Sequence, residues 1–448
     1  EYAQHGLGEK ALICFERMQD EGFYPDSIVF SCILKACSSI RSLVKGEQIH
    51  AKIRKQIWQE SDSVVGTALV DMYVKCGSLE KAQKVLEELP SKDASSWNAL
   101  IAGYIQNELS EEALKCFAKM QEKGFSPDAV TVVCILKACS SLGSAEKGEN
   151  IHSDLLKLGL LGTTDIVVGT ALVDMYAKCG LLSKAQEIFN KLSQRDTVSW
   201  NALMTGYVQQ GLSVEALDCF SQMQADGVPP DAVTFSCILK ACGSVGSVKM
   251  GEAIHDEARK KNLLEKDIVL RNSLVDMYTK CGALAKAVEV FDELLLRDVV
   301  SWNALIAGFA QLGQFKRAFS LLTKMIVEGI MPNVVTFVVI LIACSHAGLI
   351  EEGEICFDAM TTVYCLTPTL EHYSCMVDLF SRLGQLHKAI LTIEKVSPSI
   401  RPQLWSTLLG ACQKLGYVDL GRSIFEHSIG TDEDNSALYV CMSNIYAA

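Results

Sequence analysis

The sequence predicts an all-α solenoid in which helix-turn-helix units stack along the chain. The main observation is a long repeat: Trp-Asn-Ala-Leu begins at Trp97, Trp200 and Trp302, so the block returns after 103 and then 102 residues. A single supersecondary repeat has only about 20–50 residues, so each block must contain smaller units. Apolar residues within the block recur at helical spacing, and only 9 of the 448 residues are proline. Both features favour helices.

Three further landmarks return in the same order in every block. Ile-Leu-Lys-Ala-Cys begins at Ile33, Ile135 and Ile238. An Ile-His pair ends at His50, His152 and His255. Asp-Met-Tyr-x-Lys-Cys-Gly begins at Asp71, Asp174 and Asp276. Internal repetition of this kind sets the architecture before any single motif is considered.

Residues 94–128 illustrate how one unit divides into two helices. Apolar residues from Trp97 to Ile105 share one helix face, which predicts a first helix. After a break, a second apolar series ends at Gly124, with a proline beyond it, as is typical of a helix end. Ser110, followed by two glutamates, is the predicted N-cap of this second helix.

Each block resolves into three such units that tile the chain without gaps. The unit just described has 35 residues and recurs at 197–231 and 299–333. The second type has 36 or 37 residues, at 27–62, 129–165, 232–267 and 334–369, and the third has 31 residues, at 63–93, 166–196 and 268–298. The predicted organisation is a partial unit at 1–26, triplets at 27–128, 129–231 and 232–333, two final units at 334–401, and a different, truncated segment at 402–448. The first and last residues lie within patterns, so we expect a fragment of a longer protein.

Composition limits the classes of function. The chain has 41 basic and 53 acidic residues, which argues against a nonspecific nucleic-acid binder with a broad basic face. It does not exclude a protein that reads bases in one narrow groove. The 18 cysteines recur within apolar helical runs, so we predict buried thiols in a reducing compartment. No run of 18 apolar residues occurs, which argues against a membrane span.

No catalytic or metal-binding motif is complete. Cys32, Cys37 and His50 form an array that returns in each block, but a structural zinc site needs a fourth ligand and none recurs with it. His255-Asp256-Glu257 fits half of a zinc-deaminase motif, and the Cys-x-x-Cys half occurs nowhere in the chain. There is no Gly-rich phosphate loop. We therefore expect no cofactor and no enzymatic activity in these residues.

The rotation of three unit lengths resembles the P, L and S repeats of the plant pentatricopeptide repeat family, in its PLS subclass. Val-Ser-Trp-Asn-Ala-Leu at 198–203, Ile-Leu-Lys-Ala-Cys and Asp-Met-Tyr-Ala-Lys-Cys-Gly are similar to the signatures of the three types, and we name the units accordingly. The resemblance covers 1–401. Residues 404–412 and 437–447 resemble the family's E motifs. The resemblance to this family implies a right-handed superhelix that binds single-stranded organellar RNA and directs cytidine-to-uridine editing.

In this family the fifth and the last residue of each repeat select one base. The implied P pairs are Asn98 with Asp128, Asn201 with Asp231, and Asn303 with Asn333. The implied S pairs are Thr67 with Asp93, Thr170 with Asp196, and Asn272 with Asp298. The L pairs are Ser31 with Asp62, Val133 with Asp165, Ser236 with Asp267, and Val338 with Thr369. Because a valine cannot hydrogen-bond a base, we treat the L positions as unread, and we leave the last S unit open.

By the family's code the implied target is G-U-x-G-U-x-U-C, read 5′ to 3′ from the first full S unit. The alternative for the Asn and Asp residues is helix capping alone, which does not explain why Asn follows Trp in all three full P units.

The second residue of each repeat is implied to wedge between bases. It is valine at Val64, Val130, Val167, Val198, Val233, Val269, Val300 and Val335, and Ser95 departs from the pattern. The alternative is that these valines are core residues. A recurring lysine of the S units is a candidate phosphate contact, at Lys75, Lys178 and Lys280. Its alternative is a solvated lysine near a helix C-terminus.

Two other functions remain open from the sequence. One is an RNA stability or splicing factor without editing. The other is a tetratricopeptide-like scaffold that binds peptides, favoured only by the acidic charge. The resemblance further implies a mitochondrial or chloroplast protein, with the mitochondrion slightly favoured, that acts as a monomer on RNA. A deaminase, either beyond the C-terminus or supplied by a partner, and other editing-complex proteins are the expected partners of the E-like segment.

Overall fold

A computed structural model describes residues 2, 7–56, 63–89, 92–157, 166–265, 267–294, 296–397, 401–429 and 436–447. Within these residues all regular secondary structure is α-helical, in 26 helices, which confirms the predicted all-α class. None of these helices has the length and apolar character needed to cross a membrane. The chain divides into two compact units, Glu1–Pro229 and Pro230–Ala448.

The first compact unit contains thirteen helices in its described residues. They are α1 (Gly8–Asp20), α2 (Ser27–Ser39), α3 (Leu43–Gln56), α4 (Ser63–Lys75), α5 (Leu79–Glu88), α6 (Ala94–Gln106), α7 (Ser110–Glu122), α8 (Ala129–Ser141), α9 (Ala145–Lys157), α10 (Ile166–Lys178), α11 (Leu182–Lys191), α12 (Thr197–Gln209) and α13 (Ser213–Ala225). From α2 onward they alternate between the first and the second helix of a hairpin.

The second compact unit continues the alternation among its described residues. Its helices are α14 (Ala232–Val245), α15 (Val248–Lys260), α16 (Ile268–Lys280), α17 (Leu284–Asp292), α18 (Val299–Gln311), α19 (Phe315–Val327), α20 (Val334–Ala347), α21 (Ile350–Thr362), α22 (Leu370–Arg382), α23 (Leu386–Glu394), α24 (Arg401–Leu415), α25 (Val418–Ile429) and α26 (Ser436–Ala447). The E-like segment therefore supplies another hairpin and a final helix.

Within each compact unit the first helices lie side by side in one layer. In the first unit α2, α4, α6, α8, α10 and α12 contact one another in succession, and in the second unit α14 to α26 do so at every second helix. From α3 onward, the second helices packed between two first helices of the same compact unit contact both their own first helix and the one that follows. Away from the ends of each compact unit, a first helix is thus flanked by two other first helices.

The Lys-Cys-Gly end of the S landmark terminates the first helix of the S unit. Gly77 adopts a φ of 76°, a left-handed conformation that glycine takes without steric cost. The amide of Ser78 then bonds the carbonyl of Tyr73, and the amide of Gly77 bonds that of Val74. This is the Schellman pattern of a helix C-terminus, and it turns the chain toward the second helix.

The recurring tryptophans of the P units are packing residues. Trp97, Trp200 and Trp302 are 3%, 1% and 0% exposed. The Trp200 ring meets Phe189 edge-on with centroids 4.5 Å apart, the favourable arrangement for an aromatic pair. The recurring tryptophan therefore serves the core of the stack.

A glycine lets the P unit approach the S unit before it. A Cβ on Gly206 would lie 2.4 Å from the Cβ of Ala177, closer than any real packing contact. The glycine is therefore needed for helices α10 and α12 to come this close.

The prediction for Ser110 is wrong in one detail: Leu109 occupies the N-cap and Ser110 is the first helical residue.

The Ile-His and Asp-Met-Tyr landmarks meet at the contact between an L unit and the following S unit. Nδ1 of His50 lies 2.8 Å from the Tyr73 hydroxyl, and His152 with Tyr176 repeats this distance. Burial, the largest effect, lowers the pKa of His50 to about 4. The histidine is therefore neutral at pH 7 and serves as a hydrogen-bonding element of the stack.

Candidate nucleic-acid interface

The last residue of each paired P and S unit is the N-cap of the next first helix. Its side-chain oxygen accepts a hydrogen bond from the backbone N–H three residues on, at 2.8–3.0 Å, in Asp93, Asp128, Asp196, Asp231, Asp298 and Asn333. Capping satisfies one of the free amides at a helix start. The capping role considered as an alternative is therefore real at all six positions.

Capping leaves part of the side chain free to meet the fifth residue of the preceding unit. Oδ1 of Asp128 caps α8, while Oδ2 accepts a 2.8 Å hydrogen bond from Nδ2 of Asn98. In the second compact unit, Nδ2 of Asn272 lies 3.2 Å from Oδ1 of Asp298. The two residues of each of these predicted pairs thus contact each other, although about 30 positions separate them in sequence.

The pair without a carboxylate has the same arrangement. Nδ2 of Asn303 donates to Oδ1 of Asn333 at 3.2 Å, and Asn303 is 8% exposed. The terminal Asn therefore fills the place of Asp with an uncharged amide.

The threonine pairs are arranged more loosely. The Thr67 hydroxyl lies 3.3 Å from Oδ1 of Asp93 and 2.9 Å from the Ser96 hydroxyl. Burial acts to raise the pKa of Asp93, but hydrogen bonds led by those from Ser96 outweigh it and hold the pKa below its usual value. The hydroxyl of Thr170 has no hydrogen-bond partner among the described residues. Because its oxygen is buried, this hydroxyl is an unsatisfied donor and acceptor.

One pair is divided between the two compact units. Asn201 belongs to the first and is 8% exposed. Asp231 belongs to the second and caps α14 through Thr234. Each therefore occupies the same place on its own helix as the paired residues described above.

The third residue of the following unit also takes part, and sequence reasoning did not identify it. The Thr131 hydroxyl donates to Oδ1 of Asn98, and the Thr336 hydroxyl donates to Oδ1 of Asn303 at 2.7 Å. These bonds orient the amide, with its NH2 group toward the cap residue. The signal was present in the sequence, since a Thr or Ser follows every terminal Asp or Asn of the P and S pairs by three positions.

The second-position valines are all exposed. Their exposed fractions lie between 51% and 62% for Val64, Val130, Val167, Val198, Val233, Val269, Val300 and Val335. Their interpretation as core residues is therefore wrong. Ile28 holds the equivalent place in the first L unit and is 72% exposed, a member that the valine pattern missed. The second residues thus form a regular series of exposed β-branched side chains along the first helices.

The recurring lysines of the S units are paired within their own helices. Nζ of Lys75, Lys178 and Lys280 lies 2.8 Å from the aspartate four positions earlier in each case. Arg382 and Asp378 make the same pair in the last S unit at 2.7 Å. The side chains of these lysines are 36–52% exposed. This exposure agrees with the alternative interpretation, a solvated lysine near a helix C-terminus. Their contact with phosphate stays a prediction.

The L units place less reactive groups at the corresponding positions. Val133 and Val338 are half-buried, and Ser31 is 7% exposed. Asp267 caps α16, and Thr369 caps α22. The remaining L partners, Asp62 and Asp165, lie outside the described residues.

The cysteine and histidine array is dispersed by the fold. Cys37 is buried and Cys32 is exposed, and His50 bonds Tyr73. In the part of the chain that the structure describes, no three His, Cys, Asp or Glu side chains come together as metal ligands. Burial raises the pKa of the Cys37 thiol to about 11, which makes it a packing residue at pH 7.

Comparison with known proteins gives consistent matches to one family. A sequence model described as the PPR repeat family matches residues 92–141, 195–244 and 297–346. A second, described as the PPR repeat, matches 2–23, 67–93, 170–196, 233–263, 269–299 and 335–364. These segments include all three types of unit.

The chain is also similar to long Arabidopsis thaliana proteins. It is 36% identical to a mitochondrial pentatricopeptide repeat-containing protein over 467 residues, which is 100% of this chain and 51% of the relative. A chloroplastic relative is 36% identical over 100% of this chain and 55% of its own length. A third is 37% identical over 99% of this chain and 69% of its own length. The chain thus spans about half the length of the first two relatives.

Among solved structures, the chain resembles the pentatricopeptide repeat protein PPR10 from maize. The crystal structure of that protein alone gives a TM-score of 0.60 at 17% identity, covering 99% of this chain and 70% of the other. The structure of PPR10 in complex with an 18-nucleotide psaJ RNA element gives 0.53 at 16% identity, covering 98% and 80%. At such low identity the match concerns the fold.

Proposed function

Because this chain belongs to the pentatricopeptide repeat family, we propose that it binds single-stranded RNA along the layer of first helices. The observation that carries the proposal is the contact between the fifth and the last residue of a unit, as in Asn98 with Asp128 at 2.8 Å, Asn272 with Asp298 at 3.2 Å and Asn303 with Asn333 at 3.2 Å. An exposed valine is the second residue of each paired P or S unit except the first full P unit, which has Ser95. This repeated set offers polar groups to a base edge and an apolar surface to its face.

The reading of bases is part of the same proposal. An amide held between Asp128 and Thr131 presents a donor and an acceptor in a defined orientation, which suits the edge of uracil. A threonine hydroxyl such as that of Thr170 is shorter and leaves room for the larger guanine. The proposed site is G-U-x-G-U-x-U-C, with the L units opposite the unread positions.

A binding assay tests this proposal directly. The affinity of the chain for RNA that contains G-U-x-G-U-x-U-C is compared with that for a scrambled strand of the same composition, in the same salt. We expect tighter binding to the matched strand, because each correct pair adds hydrogen bonds that a wrong base leaves unmade. Equal affinity for both strands would show that the paired residues do not select bases.

We further propose that the binding directs cytidine-to-uridine editing in a mitochondrion or chloroplast. The support is the E-like segment, which packs as α24, α25 and α26 on the end of the stack, and the organelle names of the relatives. Loss of the protein from the plant is expected to leave particular organellar cytidines unedited beside a match to the target. If editing stays complete while transcript levels or splicing change, the protein is a stability or splicing factor.

A further inference from the structure

We propose that the L units bind the phosphate backbone of the RNA through Lys35, Lys137 and Lys240. This inference rests on the proposed RNA binding and assigns a role to the units that read no base. The three lysines belong to the Ile-Leu-Lys-Ala-Cys landmark. Each is the ninth residue of its unit, on α2, α8 and α14.

Helix geometry places these lysines on the face that holds the exposed second residues. Seven positions separate Lys35 from Ile28, and the same spacing joins Lys137 to Val130 and Lys240 to Val233. Seven residues span nearly two turns of an α-helix, so the two side chains differ by only about 20° around the axis. All three lysines are exposed. An ammonium group therefore extends from the same surface as the proposed base wedges.

These lysines differ from those of the S units because they have no carboxylate partner. Lys75, Lys178 and Lys280 each have an aspartate at 2.8 Å. None of Lys35, Lys137 and Lys240 makes an ion pair or a side-chain hydrogen bond within the described ranges. Their positive charge is therefore uncompensated by a direct neighbour, whereas each S lysine is half of a neutral pair.

The P units add no cation at the corresponding positions. The ninth and thirteenth residues are Ala102 and Gln106 in the first full P unit, and the other two full P units likewise have uncharged residues there. At these two positions, then, only the L unit of each complete block carries a net positive charge.

Charge balance explains why such a lysine matters. The chain has a formal net charge of −12, and most of the reading pairs end in an aspartate whose carboxylate faces the proposed RNA path. Phosphates approaching Asp93 and Asp128 meet repulsion, and one lysine in each of the first three L units reduces it. Since Val133 offers no hydrogen bond to a base, its unit contributes affinity through the backbone while the adjacent units contribute selectivity.

The last L unit lacks the feature. Ile342 replaces the lysine on α20 and is 39% exposed. This unit offers a site where the proposed contact can be added instead of removed, so the inference can be tested in both directions on one chain.

The test measures how RNA affinity depends on salt, using the ten-nucleotide strand x-G-U-x-G-U-x-U-C-x. The triple variant K35Q/K137Q/K240Q is compared with K84Q/K249Q/K316Q. The control lysines lie on the second helices α5, α15 and α19, are exposed, and make no ion pair in the described part of the chain. The two variants therefore have the same net charge and differ only in which face loses its lysines.

Each phosphate contact contributes about 0.7 to the slope of log K against log salt for a single strand. We expect the slope of the first variant to fall in magnitude by about 2, with its preference for the matched strand retained and the control unchanged. Ile342→Lys should increase the slope by about 0.7. The inference is overturned if the slope changes by the same small amount in both triple variants and Ile342→Lys has no effect on it. Base selection by the parent chain, and with it the proposed function, would still stand in that case. Failure of the parent chain to bind RNA overturns the proposed function itself.

Discussion

Replacing Asn98 by threonine is expected to move the base preferred at the first full P unit from U toward G. The Asn98 amide lies between two side chains of the next unit. Nδ2 donates to Oδ2 of Asp128 at 2.8 Å, and Oδ1 accepts from the Thr131 hydroxyl. Threonine presents one short hydroxyl in place of an amide with two donor hydrogens and an acceptor. The pattern offered to the base therefore changes while the cap stays in place.

The chain already contains the environment that this substitution creates. In the preceding S unit the Thr67 hydroxyl lies 3.3 Å from Asp93 and 2.9 Å from the hydroxyl of Ser96. A threonine at position 98 would face Asp128 and the hydroxyl of Thr131 in the same relation. We therefore expect the variant unit to select bases as the Thr67 unit does.

The size of the effect follows from the hydrogen bonds involved. A well-placed pair of hydrogen bonds to a base edge discriminates against the wrong base by about 1–3 kcal/mol. That corresponds to a change of roughly 5- to 150-fold in the ratio of the two dissociation constants. The site is partly exposed, which places the expected change toward the lower end. The fold should lose only about 1 kcal/mol, because the lost bonds lie at the protein surface.

Fluorescence anisotropy with two RNAs that differ only at this nucleotide measures the ratio. Thr67→Asn is the reciprocal variant and should favour U at the nucleotide one position earlier. Asn150→Thr, on the exposed side of the second helix α9, is the matched control and should change neither preference. If Asn98→Thr leaves the U-to-G ratio as it is in the parent chain, Asn98 does not read the base and the paired geometry serves only the stack.

Three further outcomes are expected. Val198→Ala should weaken RNA binding but change the free energy of unfolding by less than about 0.5 kcal/mol, because Val198 is 62% exposed. Trp200→Ala, on the same helix, should lower the free energy of unfolding in urea by about 3–5 kcal/mol. Equal losses of unfolding free energy in the two variants would contradict the exposed role of Val198. Asn201→Thr should move the base preference at its own nucleotide from U toward G, and an unchanged preference in the anisotropy assay would remove Asn201 from the reading set. Burial lowers the pKa of His50 to about 4, below its unfolded value of 6.5, so the unfolded chain binds more protons and the melting temperature should fall as pH decreases from about 6.5 to 4. A His50→Phe, Tyr73→Phe double variant should show a shallower fall, and an identical profile would exclude this pair as a source.

Much of the site could be predicted because repetition exposes it in one dimension. Asn98 and Asp128 were selected by their places in a repeating unit, and the structure brings them to 2.8 Å. The burial of Trp200 followed from its apolar spacing. Val198 could not be assigned in the same way, since a valine near a helix start suits either a core or a surface, and only its neighbours in space decide which.

By itself, the sequence determined the helical hairpins and the recurring polar residues, because periodicity and helix ends depend on local interactions. The tertiary structure decided which of those residues meet. It joined His50 to Tyr73, and it gave one oxygen of Asp128 to the cap and the other to Asn98. It also paired Lys75 with Asp71, while Lys35 makes no ion pair with any residue that the structure describes. These contacts depend on how neighbouring first helices align side by side, and that alignment is set by packing across units, which no single unit contains.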